Sequence, residues 1–286
     1  MPAHPPCFLQ ITGGLCNHLF EIAAALAHCK RTGQRLLISH DEKSKFRPSY
    51  WDSYLWRFKH CTTTETREDL TPFWKEPQYQ YVPIPPETRR IEGFFQSTKH
   101  FAEIAEEIRY LFRPRLRVRT SVEKRHASIL ELGERAVVLH VRRGDYFLPK
   151  HLGFHGLLDW DYYQRTMEEM QHHVSNPVFV VFSDDLEECR QNLVAPAGTE
   201  IRFVSEPDDC AALYLMSQFN NYILSNSSYS WWAACLGEPA KTVIAPDTWF
   251  GNNRKPMNWQ DIYEPGWIKM AVTLPLPRLA FYERNI

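Results

Sequence analysis

Residues 7–39 read CFLQITGGLCNHLFEIAAALAHCKRTGQRLLIS, and this stretch decides the fold. CFLQIT (7–12) predicts a strand. GGLCNH supplies a tight turn, and the run LFEIAAALAHCKRT reads as a helix with Gly33 as its C-cap. RLLIS (35–39) predicts a second strand. Strand, glycine-rich turn, helix and strand in that order form a βαβ unit, which predicts a parallel sheet.

The same alternation returns from residue 136 onward. AVVLHV (136–141), PVFVVFS (177–183), IRFV (201–204), YILS (222–225) and TVIAP (242–246) predict strands. Between them, WDYYQRTMEEMQHHV (160–174), DLEECRQNL (185–193), DCAALYLMSQF (209–219) and SYSWWAACLG (228–237) predict helices. This half reads as a doubly wound α/β domain. Upstream, KHFAEIAEEIRYLF (99–112) and SVEKRHASILELG (121–133) predict helices, the first stopped before Pro114. The domain boundary therefore falls near 115–133, giving domains of 1–125 and 126–286. Residues 41–98 are rich in Trp, Tyr and Pro without a sustained period. Irregular structure with short strands is expected there, its aromatics filling a small core or offering a surface to a sugar or another domain.

Composition excludes several classes. With 286 residues, 44% apolar and 23% charged, the chain has the make-up of a soluble globular protein. Its net charge is −1 and its Lys and Arg read as scattered, so no duplex nucleic acid partner is expected. The longest helical apolar run, IAAALA (22–27), is far short of the roughly 20 residues a bilayer requires. MPAHPPCFLQ has neither the basic nor the apolar region of a secretory signal. Seven cysteines at wide spacings, with no C-x-x-C, read as reduced thiols. A cytoplasmic protein is expected, free or peripheral to the inner face of a membrane.

Open α/β sheets bind ligands beyond the carboxyl ends of their strands. Four unusual stretches stand there: GGLCN after the first strand, RRGDY after AVVLHV, Asp184-Asp185 after VFVVFS, and NSSYS after YILS. A guanidinium at a strand end is a bidentate partner for phosphate or carboxylate. Ser227, Ser228 and Tyr229 open a helix, whose N-terminus favours an anion. Gly13 and Gly14 permit close backbone approach, and Asn17 adds donors. Asp184 and Asp185 can accept from ribose, from guanine or hold a metal, while Asp185 fits equally as the N-cap of DLEECRQNL. Alternation along VLHVR places His140 and Arg142 on one face and Val141 on the other. Arg143 is left to pair with Asp145 or to face solvent. His151 and His155 stand four apart in HLGFH, which reads as loop, and no nearby carboxylate completes a zinc pattern. Trp231 and Trp232 are expected in the core. Together these features describe a site for a nucleotide diphosphate.

GGLCNHLFEIAAALA, HVRRGDY with FHG downstream, FSDD and SNSSYSWWAA occur here in the order they take in the inverting α1,2-fucosyltransferases, which this chain resembles over residues 7 to 245. HVRRGDY is also similar to the motif of the wider GDP-fucose group, including α1,6- and protein O-fucosyltransferases. The resemblance implies an α/β GT-B architecture, two Rossmann-like domains facing a cleft, the first on the acceptor side and the second holding GDP-fucose. It implies Arg142 as diphosphate clamp, with Arg143 beside it. His140 and Asp184, followed by Asp185, would contact guanine. Ser227, Ser228 and Tyr229 would form the phosphate turn, and Gly14 and Asn17 would come from the other domain. Cys16 and His18 stand where the family usually has Gly and Gln.

The implied reaction moves L-fucose from GDP-β-L-fucose to the 2-OH of a terminal β-galactose, with inversion and with neither metal nor cofactor. A β-galactoside glycan is then the acceptor. Asp145 is the first candidate for general base and His155 the second; Asp145 fits equally as a partner orienting an arginine. A metal-dependent nucleotide-sugar enzyme using Asp184 and Asp185, and a non-catalytic GDP- or glycan-binding module, are the alternatives.

Overall fold

Every pairing between described strands is parallel. The computed structural model describes residues 4–40, 49–251 and 258–272. These divide into two units, one built from residues up to 118 together with 258–264, the other from 119–251 together with 265–272. The division at 118 falls within the expected 115–133, and 258–264 join the first unit, where Asp261 and Glu264 are bonded. Asp261 accepts from the Tyr81 backbone N–H at 2.9 Å and Glu264 from the Thr98 hydroxyl at 2.8 Å.

In the first unit β1 (Pro6–Leu9) leads through α1 (Leu15–Thr32) to β2 (Arg35–Ser39). β3 (Thr62–Thr63), β4 (Phe73–Lys75) and β5 (Arg90–Glu92) complete a sheet of order β3-β2-β1-β5-β4, and α2 (Ala105–Leu111) follows. The short strands expected within 41–98 are these; residues 41–48 lie outside the described residues. The helix expected over 99–112 is instead two 3-10 turns followed by α2.

α1 forms because its alanines and leucines carry high helix propensity and bury almost all round. It ends at Gly33, whose φ of 68° is the left-handed conformation and whose N–H bonds the Cys29 carbonyl. Its start needs glycine at one position. Gly13 has φ 85°, and a Cβ there would lie 2.4 Å from Asn17 Nδ2. Cys16, buried in the first helical turn, occupies ordinary backbone, so a glycine at position 16 is not required for this turn.

Glu21 of α1 is fully buried beneath that turn. It accepts from the Thr12 N–H at 3.0 Å and the Thr12 hydroxyl at 3.0 Å. Burial raises its pKa well above the usual carboxyl range, against those hydrogen bonds. Glu76, after β4, accepts from the N–H groups of Phe94 and Phe95 at 2.7 and 3.0 Å, and burial raises it to about 7.

In the second unit come α3 (Leu116–Arg125, beginning before the boundary), α4 (Ala127–Leu130), β6 (Ala136–Val141), α5 (Pro149–His155) and α6 (Trp160–Met170). β7 (Val178–Ser183), α7 (Leu186–Asn192), β8 (Glu200–Phe203), α8 (Asp209–Met216), β9 (Asn221–Ile223), α9 (Ser228–Leu236), β10 (Thr242–Pro246) and β11 (Ile268–Met270) follow. The sheet order is β11-β10-β9-β6-β7-β8. Counted within the unit this is the doubly wound order, with the direction of winding reversing between β6 and β9. Val137, Leu139 and Val141 pack on Tyr162, Tyr163 and Met167 of α6, each large apolar side chain contributing about 1.5–3 kcal/mol on burial. Trp231 and Trp232 are buried in α9 as expected. The HLGFH stretch, expected as loop, is helical in α5. Among the described residues no helix is long and apolar enough to cross a membrane, and all seven cysteines are free thiols.

Glu21 gives a signed expectation. Its folded pKa is raised, so its contribution is full below the unfolded glutamate value of about 4.3 and declines as pH rises through the raised value. Glu21→Gln, neutral throughout, should therefore lose less stability than wild type between pH 5 and pH 8. Denaturant melts at both pH values check this, and an equal loss in the two proteins would remove burial as the cause.

Candidate functional site

The winding of the second sheet reverses between β6 and β9, and RRGDY and SNSSYS follow these two strands. Loops leave that point toward opposite faces, so polar side chains there are not covered by a crossing helix.

His140, the penultimate residue of β6, is buried and its Nδ1 lies 2.7 Å from Ser225 Oγ, beyond β9. Its ring sits 5.4 Å from that of Tyr229. Burial first, and the Arg142 charge second, lower its pKa to about 3, leaving a neutral imidazole at physiological pH. His140 is thus a buried, neutral side chain in a place that touches the helix N-terminus.

Arg142 shares that face and is 30% exposed at the side chain. One terminal nitrogen lies 2.8 Å from Asp184 Oδ2, and the other pairs with Asp145 Oδ1. Its guanidinium stands 5.3 Å from the centre of the Tyr146 ring. Burial opposes its charge, but Asp184 and Asp145 outweigh burial and hold its pKa above the usual arginine value. A guanidinium carries five N–H donors, so these two contacts leave it further donors.

Arg143 goes the other way. It is 1% exposed, donates to the Leu158 carbonyl at 2.7 Å and lies 3.9 Å above the Trp160 ring. Glu188 approaches its Nε at 3.7 Å. The expectation that Arg143 pairs with Asp145 or faces solvent is corrected: its side chain is buried and fixes α6 and α7 to the sheet. Its backbone N–H still serves the site, donating to Asp184 Oδ1 at 2.8 Å.

Asp184 thus ties the turn after β6 with both oxygens. Gly144 makes this possible, with φ 26° and a place where a Cβ would lie 2.3 Å from Asp184 Oδ2. Asp185 is the N-cap of α7, accepting from the Glu188 N–H at 3.0 Å. Asp145 pairs with Arg142, and its Oδ2 lies 3.4 Å from His151 Nδ1. His155, at the end of α5, stacks on Tyr146 with ring centres 4.5 Å apart, and burial lowers its pKa to about 4.

The turn after β9 is held by side chains that sequence reasoning passed over. Asn226 is buried and donates to the carbonyls of His155 and Trp249 at 2.8 and 3.2 Å. Its own carbonyl accepts from the Tyr146 hydroxyl at 3.1 Å, and Tyr162 donates to the Leu224 carbonyl at 2.7 Å. Ser227 caps α9, accepting from the Tyr229 N–H at 3.3 Å, and Ser228 is the first helical residue. Tyr229 donates its hydroxyl to the Asp209 carbonyl at 2.5 Å. Tyr146 and Gly144 stand inside the quoted RRGDY motif, and Asn226 inside NSSYS, so the motifs themselves were the available signal.

Gly14 and Asn17 belong to the first unit, in the turn from β1 into α1, and the neighbours of β1 in the sheet are β2 and β5. Gly14 precedes α1 in extended backbone, and Asn17 Oδ1 accepts from Gln96 Nε2 at 3.2 Å. Among the described residues one group of three possible metal ligands lies close together, Asp208, Asp209 and Cys210. Asp208 there is the N-cap of α8, and Asp184 and Asp185 are not part of any such group.

The family described as "Glycosyl transferase family 11" matches residues 9–271. An Escherichia coli α-1,2-colitosyltransferase is 31% identical over 182 residues, covering 62% of this chain and 61% of that protein. The Escherichia coli O-antigen biosynthesis glycosyltransferase WbnK is 35% identical over 46% of this chain and 43% of its own length. The chain thus spans less than two thirds of these two relatives. Mouse galactoside 2-α-L-fucosyltransferase Sec1 is 25% identical over 97% of this chain and 77% of that protein. Among solved structures, fucosyltransferase NodZ from Bradyrhizobium shares the fold with a TM-score of 0.52 at 12% identity, covering 88% of this chain and 99% of that one. The architecture is GT-B, as the motif resemblance implied. Both that resemblance and the match across both units lead to one assignment: the chain belongs to glycosyl transferase family 11.

Proposed function

We propose that the protein transfers L-fucose from GDP-β-L-fucose to the 2-OH of a terminal β-galactose of a glycan, with inversion and without a metal. The observation that carries this reading is Arg142, held by two carboxylates at the reversal of the second sheet and tied through Tyr146 to the turn that opens α9. A donor diphosphate placed there meets the remaining guanidinium donors and the α9 N-terminus with Ser227 and Ser228. Both favour the negative charge that grows on the leaving GDP, an electrostatic term of a few kcal/mol per donor. His140 and Tyr229 line the same face. The galactoside relatives among the family support the acceptor class.

A second reading has one specific observation in its favour, the colitosyltransferase relative at 31% identity. Colitose is 3-deoxyfucose, so the two donors differ by a hydroxyl. Purified protein supplied with each GDP-sugar and a β-galactoside, with the product linkage read by NMR, separates them. The expected product is the α1,2-fucoside, formed equally in EDTA. Donor binding without turnover would leave a binding module, and loss of activity in EDTA would restore the metal-dependent reading.

Arg142→Ala should lower turnover about 10²–10³-fold, with circular dichroism unchanged. Near-normal turnover in a folded variant would sink the diphosphate role.

Asp145 is assigned to positioning Arg142, ahead of the base role for it or for His155. Asp145→Asn should then raise the donor KM while preserving the shape of the pH–rate profile. Loss of the limb governed by a base, with KM unmoved, would return Asp145 to general-base catalysis.

A further inference from the structure

The first unit carries a surface that the proposed reaction does not use. Residues 109–118, RYLFRPRLRV, hold four arginines and no acidic residue in a chain of net charge −1. The expectation of scattered basic residues does not hold for this segment. Arg113, Arg115 and Arg117 are exposed, and no described residue forms a salt bridge with them. Large apolar side chains stand among them: Leu116 is 67% exposed and Tyr110 57%.

The arrangement is built and not frayed. Arg57 donates to the carbonyls of Leu111 and Arg113 at 3.1 and 2.6 Å, satisfying the end of α2. Its guanidinium lies 4.2 Å from the Trp56 ring centre and 4.9 Å from that of Tyr110. Arg115 lies 4.9 Å from the Trp56 ring centre, and Trp56 Nε1 donates to the Arg113 carbonyl at 3.2 Å. Nearby acids are few: Asp52 accepts from Lys59 at 3.0 Å, and Glu106 lies 3.9 Å from Arg109.

We propose that this surface, centred on Trp56, Tyr110, Arg113, Arg115, Leu116 and Arg117, docks the protein on an anionic phospholipid bilayer. Exposed arginines meet headgroup phosphates, each cation near the surface strengthening binding about fivefold. Leu116 and Tyr110 supply the apolar and amphipathic side chains that enter the interfacial layer. A single-stranded nucleic acid would need open aromatic faces for stacking. Here guanidinium groups lie against the rings of Trp56 and Tyr110, and the most exposed apolar side chain is an aliphatic leucine. Charge and apolar exposure together therefore fit a lipid surface.

Sedimentation of the full chain with vesicles tests this. Vesicles of phosphatidylcholine containing phosphatidylglycerol should bind the protein, vesicles of phosphatidylcholine alone should bind it far less, and added salt should weaken the difference. Arg113→Glu/Arg115→Glu/Arg117→Glu should lower partitioning at least about a hundredfold, while the triple Lys variant stays near wild type. Leu116→Ser should weaken the binding that persists at high salt. The salt and lipid dependence of the wild type carries the test even where a variant is poorly folded. Equal affinity for both vesicles, no affinity for either, or an unaffected charge-reversed variant would overturn the proposal. So would tighter binding to an oligonucleotide than to anionic vesicles, or self-association through this face.

Discussion

Asp184 reaches from the end of β7 to the turn that follows β6, and the arrangement of the second unit's site depends on that reach. One carboxylate oxygen takes the Arg143 N–H and the other takes the Arg142 guanidinium. Hydrogen bonds to a charged group contribute about 1.5–3 kcal/mol each, enough to hold a turn whose backbone is otherwise unfavourable. Gly144 is the residue that lets the carboxylate come so near. With the turn fixed, two adjacent arginines are forced to opposite fates. Arg142 continues the face of His140 and stays at the surface; Arg143 continues the face of Val141 and enters the layer beneath α6.

A buried arginine needs its desolvation offset, and Arg143 obtains this from the Leu158 carbonyl, the Trp160 face and the more distant Glu188 carboxylate. The same logic holds the facing turn. Buried carbonyls that no strand partner satisfies accept from tyrosine hydroxyls, Leu224 from Tyr162 and Asn226 from Tyr146. The Asn226 amide returns the service to the backbone of His155 and Trp249. A turn pinned in this way keeps its shape before any ligand arrives, which is what an electrostatic site requires.

The alternation of strands and helices was legible because β6, β7 and β10 are buried apolar runs too short and too β-branched for helices. β3 and β4, at two and three residues, have no period to read. α5 was missed because Gly153 and paired histidines interrupt any apolar stripe. Strand parity already placed Arg143 on the Val141 face. Arginine is so seldom buried that open pairing was the natural reading, and its partners at 158, 160 and 188 are distant in sequence. Asp185 shows the reverse: its capping role follows from local spacing alone. The basic run at 109–117 was masked by the neutral total, since a sum over the chain erases segregation within it.

Each sheet, taken by itself, places a polar pair between the loops that follow two adjacent parallel strands. In the first, Gln96 beyond β5 donates to Asn17 beyond β1 at 3.2 Å; in the second, His140 at the end of β6 bonds Ser225 beyond β9 at 2.7 Å. The cause is topological. In the second sheet β6 and β9 send their chains to opposite faces, so neither connection covers the crevice, and in both sheets no backbone ladder continues past the strand ends. Polar side chains from the two loops must then satisfy one another or a ligand. Motifs at those ends therefore carry structural and chemical demands at once, and the residue types that answer both are few. That narrowness is why short polar motifs at strand ends were informative here, while the longer aromatic stretch before residue 98 was not.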